Sequence, residues 1–353
     1  ASADRRLHVA GVRRAGARTM LMPVALSFVV SCGGRPETGA AGVRSAPGDA
    51  SYSGGDACAG CHERQTALWK DSHHARSMQP VDDMTALGDF SGVGFTSHGL
   101  TSHFRVENGN YLVWTDGPDG RSHEYEIAYT FGIVPLQQYL VRFPRGRYQA
   151  LSVAWDARPA SKGGQRWFHL SPAERIDYRD SLHWTGPAQN WNYMCAECHS
   201  TNLRKNYSPA ADRYETAWSE INVSCEACHG PGSRHVAWAR AGADRSGAHQ
   251  LKGLTVSLKD GGQWVIPAHG RIAARMTPLG SRTEVDTCGR CHSRRTQIWP
   301  DYMHGPLADT HRVELLDEGL YEPDGQQLDE VYEYGSFLQS RMYAAGVTCS
   351  DCH

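Results

Sequence analysis

Five copies of one pentapeptide, Cys-x-x-Cys-His, constrain this chain more than any other feature. They are Cys58-Ala-Gly-Cys61-His62, Cys195-Ala-Glu-Cys198-His199, Cys225-Glu-Ala-Cys228-His229, Cys288-Gly-Arg-Cys291-His292 and Cys349-Ser-Asp-Cys352-His353, and they use ten of the eleven cysteines. Two cysteines three positions apart can form thioethers to the two vinyl groups on one edge of a haem. The histidine that follows then lies under the ring, within reach of the iron. Other uses of paired cysteines fit less well. Zinc sites need no histidine directly after the second cysteine, and five units do not divide evenly into four-ligand sites. A disulfide framework would not put histidine after every pair, and a thioredoxin-like motif occurs once or twice per chain. The pattern predicts five covalent haem c groups, each with its iron, on these ten cysteines. His62, His199, His229, His292 and His353 are the expected proximal iron ligands.

The spacing of the motifs bears on the fold. First cysteines are separated by 137, 30, 63 and 61 residues. Setting aside the first 31 residues leaves about 64 per motif, too few for a separate protein core around each haem. The expected fold is therefore a mostly α or irregular, haem-cored multihaem cytochrome c over residues 56–353. The short gap between the second and third motifs suggests neighbouring haems there. Helical stretches are expected at Arg64–Arg76, Ser233–Ala241 and Asp329–Ala345. The 137-residue gap reads differently. Thr101–Glu107 and Tyr111–Thr115 flank Asn108-Gly109, Asp119-Gly120 precedes His123–Thr130, and Arg145-Gly146 separates Leu136–Phe143 from Tyr148–Trp155. Turn dipeptides between aromatic and β-branched runs predict a small antiparallel β-rich insertion at about 94–170.

The first residues read as an address. Five arginines against one acid precede an apolar run from Met20 to Val30, as in a secretory signal peptide over residues 1–31. Val29-Val30-Ser31-Cys32 resembles a bacterial lipobox, so Cys32, the cysteine left over, is the expected lipid anchor to a membrane surface. Residues 32–55, rich in Gly, Ala, Ser and Pro, read as a flexible tether. The expected location is outside the cytoplasm, on the periplasmic or cell-surface side, as an outer-membrane lipoprotein. A formal net charge of -2 argues against nucleic acid as a partner. No apolar run reaches the roughly 18 residues of a membrane span.

Several longer segments resemble multihaem cytochromes with a cytochrome c-552/c-554-type domain, a family that often carries tetratricopeptide repeats after it. They are Trp69-Lys-Asp-Ser72-His73-His74-Ala75, Pro135-Leu-Gln-Gln-Tyr139, Leu182-His183-Trp184, the surroundings of Cys195 and Cys225, and Tyr334 to His353. The resemblance implies electron transfer through closely spaced, mostly bis-histidine haems. Because the last residue is itself an expected iron ligand, the chain is expected to continue beyond residue 353, where any repeat domain would lie. His74, preferred over His73, fits the family's Trp-x-x-Ser-x-His pattern as a distal ligand. His183 and His98 resemble family positions. His235 follows a Gly-Pro-Gly turn able to fold it over a neighbouring haem, and His304 and His311 remain for the last positions. The expected function is electron transfer with redox proteins as partners. The alternative is an oxidoreductase acting on a small nitrogen or sulfur species at a haem with an open axial position. That reading is weakened because all five motifs end in histidine.

Overall fold

Residues 78–169 follow a period of two, and they build the largest element of the chain. The computed structural model describes residues 50–242, 251–259, 262–300, 302 and 304–353. The expected signal peptide, Cys32 and most of the tether lie outside these residues. Nine antiparallel strands form one sheet: β1 (Met78–Pro80), β2 (Ser91–Ser97), β3 (Leu100–Glu107), β4 (Asn110–Asp116), β5 (Ser122–Phe131), β6 (Leu136–Phe143), β7 (Arg147–Ala150), β8 (Val153–Asp156) and β9 (Arg166–His169). The order is β2-β3-β4-β5-β6-β8-β9, with β1 added on β5 and β7 on β6. At the β3–β4 hairpin Asn108 and Gly109 take φ of 51° and 81°, the left-handed pair that a tight two-residue turn requires.

Alternation places the core. Tyr111, Val113 and Thr115 of β4 are buried, while Asn110 before them and Trp114 among them are exposed. Phe104, Val113, Ile127, Tyr139, Val141, Trp155 and Trp167 fill the inner face, with Phe104 and Trp167 stacked at 3.7 Å. A bulge between Ile127 and Tyr129 breaks the register of β5 against β6. One extra residue turns the following side chains over. Ile127 thus faces the inner core, while Phe131 joins Met78, Leu140, Ala150, Trp191 and Ala196 on the other face.

The expectation of a mostly α or irregular fold with a small β insertion is corrected here. Helix accounts for 22% and strand for 26%, and a large, nearly closed antiparallel sheet dominates. The reason is physical. A Cys-x-x-Cys-His unit needs one helical turn to align its three side chains, and the described α-helices are four to eight residues long. The expected helix Arg64–Arg76 ends at Lys70, and the stretch Asp329–Ala345 breaks into Glu333–Leu338 and Arg341–Ala344. Ser233–Arg240 is helical as expected. Among the described residues no helix is long and apolar enough to cross a membrane.

Candidate haem-binding motifs

Each motif is a single turn. Asp56–Ala59, Ala196–His199, Cys225–His229 and Thr283–Gly289 are α-helical and Cys349–Asp351 is 3-10. The amides of His62, His292 and His353 donate to the carbonyls of Cys58, Cys288 and Cys349 at 3.0, 2.9 and 3.2 Å. Residues i, i+3 and i+4 share one face of such a turn, so both thiols and the imidazole point the same way. None of the ten described cysteines is in a disulfide. Burial pushes the Cys195 thiol up to about 12, and burial, with Cys225 and Glu226 nearby, pushes Cys58 up to about 11. Both thiols are therefore protonated near neutral pH and poor candidates for thiolate redox chemistry.

The histidines divide by what their ring nitrogens do. The ring centres of His62 and His235 lie 6.1 Å apart with planes 27° apart, and those of His74 and His292 lie 6.2 Å apart at 74°. A ligating imidazole nitrogen sits about 2 Å from its metal and about 1 Å from its own ring centre, so two imidazoles on opposite faces of one iron have centres about 6 Å apart. His235 donates from Nδ1 to the Lys252 carbonyl at 2.9 Å, and His199 from Nδ1 to the Ser77 carbonyl at 2.9 Å. Such a bond fixes the tautomer and leaves the Nε2 lone pair for a metal. Burial holds His199 below the ordinary histidine range despite that bond, keeping it neutral. His304 is buried, with Nδ1 unpartnered and Nε2 facing Gly230 beside the third motif. Burial, Arg290 and His229 hold it down at about 4.

Three expected distal ligands lie elsewhere. His183 bonds Asp116 through Nε2 and Thr185 through Nδ1, both at 2.8 Å. His311 bonds Glu197 through Nε2 and Thr310 through Nδ1, both at 2.8 Å. With both nitrogens engaged, neither ring offers a lone pair in this arrangement. His98 sits at the β2–β3 turn, exposed, with Nε2 donating to the Pro172 carbonyl at 3.1 Å.

The motifs are tied by charged residues that spacing alone did not single out. Glu226, inside the third motif, accepts from the amides of Ser53, Gly54 and Gly232 at 2.7–3.0 Å, so the end of the expected tether is pinned to the third motif. Glu284, four residues before Cys288, accepts from the Ser350 amide at 2.6 Å and the Thr348 hydroxyl at 3.1 Å. Glu197, inside the second motif, pairs with His311 and with Arg295 at 3.1 Å. Burial raises its pKa, but those two partners outweigh burial and leave it lowered. The outer face of the sheet walls the second motif: Cys195 packs on the Leu140 and Trp191 cluster, and Phe131 meets the His199 ring edge-on at 5.5 Å. The available signal was a carboxylate or arginine at an x position of the motif, as at Glu197, Glu226 and Arg290.

The residues present fit covalently bound haem: paired free thiols on single turns, imidazoles with an open nitrogen, and two imidazole pairs at the spacing of a shared iron. The sequence profile of cytochrome c554 and c-prime matches residues 57–89 and 161–230, which include the first three motifs. With the five motifs, that match supports reading the chain as a multihaem c-type cytochrome. Among solved structures it is similar to the outer cell wall cytochrome OcwA, at 20% identity and a TM-score of 0.39, over 80% of this chain and 44% of that one. It is also similar to an undecahaem cytochrome from the S-layer of Carboxydothermus ferrireducens, at 17% identity and a TM-score of 0.37, over 71% of this chain and 26% of that one. The chain thus spans less than half the length of either. No curated protein matches significantly.

Proposed function

We propose that this chain is an exported electron carrier with five c-type haems, in which His235 and His74 are the sixth ligands opposite His62 and His292. The observation that carries the reading is the pair of imidazole couples at 6.1 and 6.2 Å, each joining a motif histidine to one distant in sequence. Bound haem supplies one-electron chemistry, its iron cycling between ferric and ferrous states. The chain's own residues do the rest. Ten thiols fix the attachment points, Ser77 and Lys252 carbonyls orient His199 and His235, and the sheet face keeps water from the second motif. His304, with a buried and unpartnered ring nitrogen, is the distal ligand assigned to the third motif. His183, His311 and His98 serve the packing of the protein and not the irons. The partners are redox proteins, and Cys32 tethers the mature chain to a membrane surface.

The test is the intact mass and spectrum of the protein matured in a host with an extracytoplasmic haem-attachment pathway. Five haem masses on a chain beginning at an acylated Cys32, with reversible reduction, are expected. Fewer than five overturns the count, an unmodified Cys32 overturns the anchor, and a spectrum insensitive to reductant overturns electron transfer.

A further inference from the structure

We propose that the fourth motif is a branch point, flanked by the second, third and fifth motifs at once, while the first is reached through the third. The inference rests on the reading that each motif holds a haem, and it concerns the order in which these sites meet.

Three contacts converge on residues 284–295. Toward the second motif, the Cys198 thiol donates to the Cys291 carbonyl at 3.9 Å, and Arg295 donates to the Cys198 sulfur at 3.2 Å. Toward the third, Arg290, inside the fourth motif, donates to the Ala227 carbonyl inside the third at 3.4 Å. Its guanidinium lies over the Tyr302 ring at 5.0 Å, so it is wedged between the two sites and not free in solvent. Toward the fifth, Glu284, four residues before Cys288, holds the Ser350 amide at 2.6 Å and the Thr348 hydroxyl at 3.1 Å, and Cys349 packs on the cluster of Val285 and Leu307. The first motif makes a different set of contacts. Glu226, inside the third motif, holds the amides of Ser53 and Gly54, and the Ser51 amide donates to the Ser233 hydroxyl at 2.8 Å just beyond the third motif.

These hydrogen bonds join residues 63 to 182 apart in sequence, and they do not follow chain order. The short gap between the second and third motifs does leave a link, since the Ser224 amide donates to the Thr201 hydroxyl at 2.9 Å. The Cys198 sulfur of the second motif, however, has its contacts with Cys291 and Arg295. An electron arriving from the first or third site therefore meets a choice at the fourth: inward to the second, against the sheet, or onward to the fifth, next to the end of this chain. A linear wire has no such choice.

Iron positions measure this directly, by anomalous scattering from crystals of the haem-loaded protein. The expected result is a fourth-motif iron with three of the other irons as close neighbours, and a first-motif iron with the third alone. A fourth-motif iron with two close neighbours or fewer overturns the branch point. A motif without iron overturns instead the five-haem reading, so the two failures are told apart.

Discussion

His183 and His304 are both buried, and they differ in the only property that matters to a metal. His183 spends both ring nitrogens on Asp116 and Thr185, whereas His304 leaves Nδ1 unpartnered beside the third motif. A buried polar atom without a partner costs about 1–3 kcal/mol, a penalty that ligation through that nitrogen would offset. His304→Ala should therefore convert one low-spin iron to high-spin in the oxidised protein, seen by electron paramagnetic resonance, while His183→Ala leaves every spin state unchanged. No change in His304→Ala would remove it from the ligand set. His311→Ala should act on stability alone. Losing its bond to the buried Glu197 carboxylate costs about 2–3 kcal/mol, read in a denaturant titration with an unaltered haem spectrum. Sequence placed all three among the candidate distal ligands, with His183 ahead of the other two, because what occupies a ring nitrogen is decided by residues up to 114 positions away.

The hairpins of the sheet were legible because their information is local. Asn108-Gly109 sits between alternating runs, and the strands on either side begin and end within a residue of the expected bounds. The bulge in β5 was not legible. It carries no glycine or proline, and it exists because Ile127 and Phe131 must serve cores on opposite faces. The short helices were over-read for a related reason: helical periodicity extended past Lys70, but a local turn to the Ser77 amide and a tertiary bond from the Val223 amide take the His74 carbonyl there. Phe104→Ala, which empties the stack against Trp167, should cost about 3–5 kcal/mol of sheet stability while leaving haem attachment intact. Glu284→Ala should do the reverse. The helix Thr283–Gly289 and the sheet remain, but the fifth motif loses its tie, and incorporation of a fifth haem should fall in mass spectra relative to the other four.

For the whole molecule, the cysteine pattern pointed to the class of protein and named the expected attachment points and proximal histidines, but neither the fold that carries them nor their order in space. The fold turned out to be a β-sheet scaffold with haem motifs as single turns along one part of it, since the 137-residue gap holds most of the protein-built core. Order in space rests on Glu197, Glu226, Glu284 and Arg290, whose partners no spacing rule identifies. The account stands or falls on the two imidazole couples, and their ring planes make it measurable. Nearly parallel axial rings give a rhombic low-spin ferric signal and nearly perpendicular rings a highly anisotropic one. With planes at 27° for His62 and His235 and 74° for His74 and His292, the electron paramagnetic resonance spectrum of the oxidised, haem-loaded protein should contain both kinds. A spectrum with only high-spin iron, or with no highly anisotropic low-spin component, would contradict it.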